Sequence, residues 1–148
     1  MDPDLIKART WCEKAAAQNY PKAQAYLAIL HFDKTRPGGN PEEGLKWLRQ
    51  AALNNAGDSQ YLLALRTFVA VKTPDEVKEA SRWLLIAAAN TNHTIGIWTN
   101  RPSAPEVEQK LRQSMSEQGW TDFKASVEAL RKEIEENERR ALRESAEN

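Results

Sequence analysis

Apolar and small residues recur along the chain at helical spacing, and the breaks between them fall at regular intervals. Trp11, Trp47 and Trp83 stand 36 residues apart. Each follows a very small residue by three positions (Ala8, Gly44, Ala80) and precedes an alanine pair by four and five (Ala15-Ala16, Ala51-Ala52, Ala87-Ala88). Positions i, i+3 and i+7 share one helix face. A bulky indole between small side chains lets a neighbouring helix approach closely while the ring fills the groove. The three segments are therefore predicted to be helices with their tryptophans in the core.

A second block recurs at the same period. Gln24-Ala25-Tyr26-Leu27-Ala28 matches Gln60-Tyr61-Leu62-Leu63-Ala64, and Phe32 matches Phe68. Between the blocks stand the breakers Asn19-Tyr20-Pro21 and Asn54-Asn55-Ala56-Gly57. Each repeat reads as a helical hairpin, a tryptophan helix A followed by a helix B. Five antiparallel helices are expected over residues 4–90, with turns near Asn19-Tyr20, Lys34–Asn40, Asn54–Gly57 and Val71–Thr73. A third B helix would begin at Ile95, but Gly96, Asn100 and Pro102 interrupt it, leaving room for a stub around Trp98.

After the breaker Arg101-Pro102-Ser103-Ala104-Pro105 the period is lost and two further helices are predicted. One carries Val107, Leu111 and Met115; the other, N-capped by Thr121, carries Phe123, Val127, Leu130 and Ile134. Beyond Ile134 the pattern thins into Glu135-Glu136-Asn137-Glu138-Arg139-Arg140, and residues after about Arg140 are expected to project into solvent or to fray. Leu85 and Ile86 stand where the earlier repeats place Glu13-Lys14 and Arg49-Gln50. The last A helix thus has an apolar outer face, and the C-terminal helices are its expected cover.

These residues resemble the Sel1-like repeats, relatives of the tetratricopeptide repeat. The resemblance rests on the Trp helices ending in Ala-Ala, on Ala23-Gln24-Ala25-Tyr26-Leu27-Ala28, and on the turn Arg36-Pro37-Gly38-Gly39-Asn40-Pro41 leading into Glu42-Glu43-Gly44-Leu45-Lys46-Trp47. It covers roughly residues 4–99. Ala28 and Ala64 stand where the family usually has glycine, and the turn Val71-Lys72-Thr73-Pro74-Asp75 has lost its glycines. The resemblance implies an all-α solenoid of helical hairpins: repeats over residues 1–99, two full and a third truncated, then a non-repeat helical cap and charged tail over 100–148. It also implies a protein-binding role.

Composition narrows the function classes. Lys+Arg (21) equals Asp+Glu (21), so the basic surplus of a nucleic-acid binder is missing. No run approaches the roughly 18 apolar residues of a membrane span, so no membrane insertion is expected. The start, Met1-Asp2-Pro3-Asp4, lacks the basic and apolar regions of a secretory signal. The expected compartment is the cytoplasm, or the periplasm if Met1 replaces a removed signal. Cys12 is the only cysteine, which excludes an intrachain disulfide and an all-cysteine metal site.

Candidate chemistry is sparse. His31 and His93 lie in different repeats, without the i, i+4 spacing and nearby carboxylate of a two-histidine metal face. Gly38-Gly39 lacks the following Gly-Lys-Ser/Thr of a phosphate loop. Glu42-Glu43 and Asp75-Glu76 open helices, where carboxylates favour the positive end of the macrodipole. Asn92-His93-Thr94 fits a glycosylation acceptor, a motif that carries nothing without secretion. No cofactor and no metal are expected, and the expectation is a non-enzyme. The outward A-helix ladders Thr10/Lys46/Arg82 and Lys14/Gln50 are the candidate partner-binding residues, on the concave side that A helices line in such solenoids. A general scaffold or adaptor is the first expectation. The resemblance also admits a bacterial immunity protein that neutralises a secreted toxin, and an enzyme with an unrecognised site is the competing class.

Overall fold

A computed structural model describes residues 3–33, 38–70, 72–92 and 102–147, with residues 3–5 described by backbone alone. Every regular element among them is helical, in the order α1 (Pro3–Ala17), α2 (Pro21–Phe32), α3 (Pro41–Leu53), α4 (Gly57–Ala70), α5 (Pro74–Ala89), α6 (Ala104–Gln113) and α7 (Glu117–Ala146). The stub expected around Trp98, and His93, lie outside the described residues.

Local chemistry sets the starts. Pro21, Pro41 and Pro74 occupy first-turn positions, where a missing N–H costs nothing. The side-chain carbonyl of Asn40 accepts from the N–H groups of Glu42 and Glu43. Thr73 and Glu76 form a reciprocal capping box; the N–H groups of Lys72 and Thr73 donate to the Glu76 carboxylate and hold its pKa below the ordinary glutamate value. Asn19 (φ 62°) and Asn55 (φ 64°), 36 residues apart, supply the left-handed turns that end α1 and α3. Asparagine is the residue that tolerates this region best after glycine.

Each of the first five helices packs chiefly on its neighbours in the chain; α6 packs on α5, while α7 packs on α5 and reaches α3. Gly44 explains how closely α3 approaches α2: a Cβ there would lie 2.9 Å from the Phe32 ring and 3.0 Å from the His31 Cβ. Gly57 is equally constrained, since its Cβ would lie 2.7 Å from the Asn92 carbonyl oxygen, which accepts from the Gly57 N–H.

A buried amide ladder joins the repeats. Gln24 Nε2 donates to the Ala16 carbonyl (3.1 Å) at the end of α1, and its Oε1 accepts from Asn54 Nδ2 (2.9 Å) after α3. One period on, Gln60 Nε2 donates to the Ala52 carbonyl (3.0 Å) and Oε1 accepts from Asn90 Nδ2 (2.8 Å) after α5. Each glutamine gives a second donor to a carbonyl in the last turn of a helix, beside the N–H of Asn19 or Asn55, and accepts an amide from the end of the following hairpin's first helix.

Two expectations are corrected. Trp11 is not a core residue but 70% exposed, with the Lys14 ammonium over its ring; Trp47 is half-buried, and Trp83 is 5% exposed. The last helix starts after Ser116, whose Oγ accepts from the Gly119 N–H, rather than after Thr121, whose hydroxyl donates to the Glu117 carbonyl inside the helix. That helix runs on to Ala146, and of the two expected outcomes its end beyond Arg140 stays exposed to solvent as helix, carried by good helix formers and the i, i+4 pair Glu135–Arg139. The apolar stripes of α6 and α7 meet α5 in one cluster: Val107, Trp120, Phe123, Val127 and Ile134 join Trp83, Leu85 and Ile86.

Candidate partner-binding surface

Thr10, Lys14, Lys46, Gln50 and Arg82 all project from A helices, but they do not form one continuous surface. Thr10 is exposed and donates its hydroxyl to the Ile6 carbonyl of its own helix (3.0 Å). Lys14 is exposed and lays its ammonium over the Trp11 ring, 5.2 Å from the centroid. Lys46 pairs with Glu43 one turn away, which lowers the Glu43 pKa and raises that of Lys46.

The other two face α7. Gln50 borders a small cavity of about 70 Å³ together with Asn137 and Arg140. Arg82 is half-buried in a cavity of about 530 Å³ closed by Met115, Ser116 and Phe123, and its Nε is buried without a hydrogen-bond partner. At the register position of Lys14 and Gln50 the third repeat has Ile86, buried beside Arg131 and Ile134 of α7. The outer A-helix face is thus covered by the chain's own last helix at α5, bordered by it at α3, and open at α1.

The covering helix is tied at mid-length. Asn55 Nδ2 donates to Glu138 Oε1 (2.7 Å), and Asn137 Nδ2 donates to the Leu53 carbonyl (3.4 Å). Past these ties α7 stands off from the α1–α2 turn and leaves a cleft. One part, about 390 Å³, lies between Asn19, Pro21 and Asn54 on one side and Glu138, Arg139 and Leu142 on the other. Another, about 730 Å³, runs from Gln18, Asn19 and Tyr20 to Leu142 and Ser145. Tyr20 (58% exposed) and Leu142 (70% exposed) present apolar surface to it. The cleft is hidden at the level of sequence, where the segment after Arg140 reads as projecting into solvent or frayed. Gln24 and Gln60 match by register, as do Asn54 and Asn90 at the same period, but the register does not show that each glutamine bonds to the asparagine 30 residues on.

His31 is structural. It is buried, its Nδ1 accepts from the Asn40 N–H (3.4 Å), and burial, then the nearby Arg9 cation, lower its pKa below the usual histidine value. Cys12 is half-buried and unpaired as a thiol. Among the described residues no group of three or more His, Cys, Asp or Glu side chains could hold a metal ion, and no helix is long and apolar enough to cross a membrane. Comparison of the chain with family models, with curated proteins and with solved structures gives no match.

Proposed function

We propose that the chain is a non-enzymatic scaffold, a Sel1-like helical-hairpin solenoid closed at its C-terminal end by α6 and α7, that binds another protein. The observation that carries this reading is the cleft between the α1–α2 turn and the end of α7, where Tyr20 and Leu142 leave apolar surface exposed in a polar rim. Thr10, Lys14 and Lys46 are exposed on α1 and α3, outside the lining of the cleft. The 36-residue recurrence of the amide ladder and of the asparagine turns supports the repeat reading.

The test is site-specific photocrosslinking from positions 20 and 142 in the native host, with mass spectrometry of the adducts. The expected result is a defined protein partner whose crosslink and affinity are lost in the Tyr20→Ala/Leu142→Asp variant. Unchanged affinity of that variant, or no specific adduct, would overturn the cleft as the site. The stoichiometry sorts the roles: one tight one-to-one partner fits an immunity protein, several weak partners fit an adaptor.

A further inference from the structure

The same surface occurs three times in this chain, twice covered and once bare. On α3, Gly44 and Ala51 face α2: Gly44 receives the Phe32 ring, and Ala51 clusters with Ala25. On α5 the equivalent Ala80, Trp83 and Ala87 are buried, and α4 is the helix packed before them. On α1 the equivalent Ala8 and Trp11 are exposed, and Ala15 and the neighbouring Cys12 are only half-buried.

The polar half of the interface is repeated too. Asn54 and Asn90 donate their side-chain amides to the glutamine of the preceding B helix. Thirty-six residues before Asn54 stands Gln18, an amide of the same chemistry. Its side chain is exposed and makes no hydrogen bond to any described residue. Lys7 and Lys14 are exposed beside this surface, and neither has an ion pair among the described residues.

From this we infer that the bare face of α1 (Ala8, Trp11, Ala15, Gln18) docks an amphipathic helix of another protein in the way α3 docks α2 and α5 docks α4. The covering helices state the chemistry of the occupant. Both carry glutamine, leucine three residues later, alanine four later and phenylalanine eight later: Gln24, Leu27, Ala28, Phe32 and Gln60, Leu63, Ala64, Phe68. The aromatic seats on the small residue at position 8, and the glutamine accepts from Gln18. Acidic residues flanking the stripe meet Lys7 and Lys14. A second copy of this chain fits poorly, since a two-fold pairing through α1 brings the cations Lys7 and Lys14 against their own like charges. The inference rests on the protein-binding reading; its face meets the cleft at Gln18, whereas Ala8, Trp11 and Ala15 lie outside the cleft lining, so Ala8→Arg tests it independently of Tyr20 and Leu142.

The test uses the full chain and a hydrocarbon-stapled peptide of residues 21–33, alone and with glutamates added at both ends. Calorimetry is combined with amide chemical-shift mapping. Both peptides are expected to bind with shifts centred on α1, the acidic one more tightly and with steeper salt dependence. Ala8→Arg, at an exposed site, is expected to weaken binding at least tenfold with an unchanged melting temperature; Gln18→Ala is expected to weaken it roughly fivefold, the worth of one hydrogen bond. Absence of binding by either peptide, binding indifferent to Ala8→Arg, or a dimer in sedimentation that buries α1 would each overturn the inference. None of these outcomes bears on crosslinking at the cleft, so the two proposals fail separately.

Discussion

Trp11, Trp47 and Trp83 occupy one register position, and exposure falls from 70% at Trp11 to 5% at Trp83. The residue type is fixed by the helix it stands on; its energetic weight is fixed by what packs against that helix. Trp83 sits among Leu85, Ile86, Val107 and the α7 aromatics, so truncating it leaves a cavity. Trp83→Ala is expected to cost about 3–5 kcal/mol, as large-to-small core changes do. Trp11→Ala, with little but the Lys14 ammonium against its ring, is expected to cost less than about 1 kcal/mol. Denaturant melts of the two variants measure both, and equal losses would show that the motif is loaded alike in all repeats. The identity of the tryptophan register was legible from spacing alone. Its burial was not, because a single helix pattern does not say whether a neighbour lies on that face.

At the scale of elements, the five helices over residues 3–89 and their turns were legible because the chain writes its punctuation strongly. Prolines open helices, Asn40 and Thr73 cap them, and Asn19 and Asn55 turn the chain back. The start of α7 was misread because threonine at 121 is as acceptable a cap type as serine at 116; in the structure the Gly119 N–H in the first turn donates to Ser116. The amide ladder was half-visible: Gln24 and Gln60 read as repeat markers, but a hydrogen bond spanning 30 residues leaves no local signature. Gln60→Ala would remove two buried hydrogen bonds, one to the Ala52 carbonyl and one from the Asn90 amide, each of which keeps a further partner at Asn55, so it is expected to destabilise by about 1–3 kcal/mol. A double-mutant cycle with Asn90→Ala is expected to give a coupling energy of at least about 0.5 kcal/mol, as for residues sharing one network. Additive effects would mean that the repeats are held by apolar packing alone.

Across the whole molecule, α7 is the one element that does not simply follow the chain order. It buries Trp120, Phe123, Val127 and Ile134 in one cluster with Trp83, Leu85 and Ile86 of α5, ties to the end of α3 through Asn137 and Glu138, and stands off from the α1–α2 turn. Stabilisation should therefore be concentrated in its first two-thirds, and the cleft surface in its last third. Ending the chain after Ser103 removes Val107 and those four side chains and uncovers Leu85 and Ile86. At about 1.5–3 kcal/mol for each buried large apolar side chain, the loss is comparable with the whole stability of a typical domain, about 5–15 kcal/mol. That truncation is expected to aggregate or to bind a hydrophobic dye without a cooperative melt. Ending the chain after Arg140 keeps Asn137, Glu138 and every buried residue of α7, and removes Leu142. This shorter cut is expected to leave the melting temperature within about 3 °C while abolishing crosslinks across the cleft. A soluble, cooperatively folded chain ending at Ser103 would show that the repeats stand without cover, and α6 and α7 would then have to be read as a docked arm rather than as part of the core.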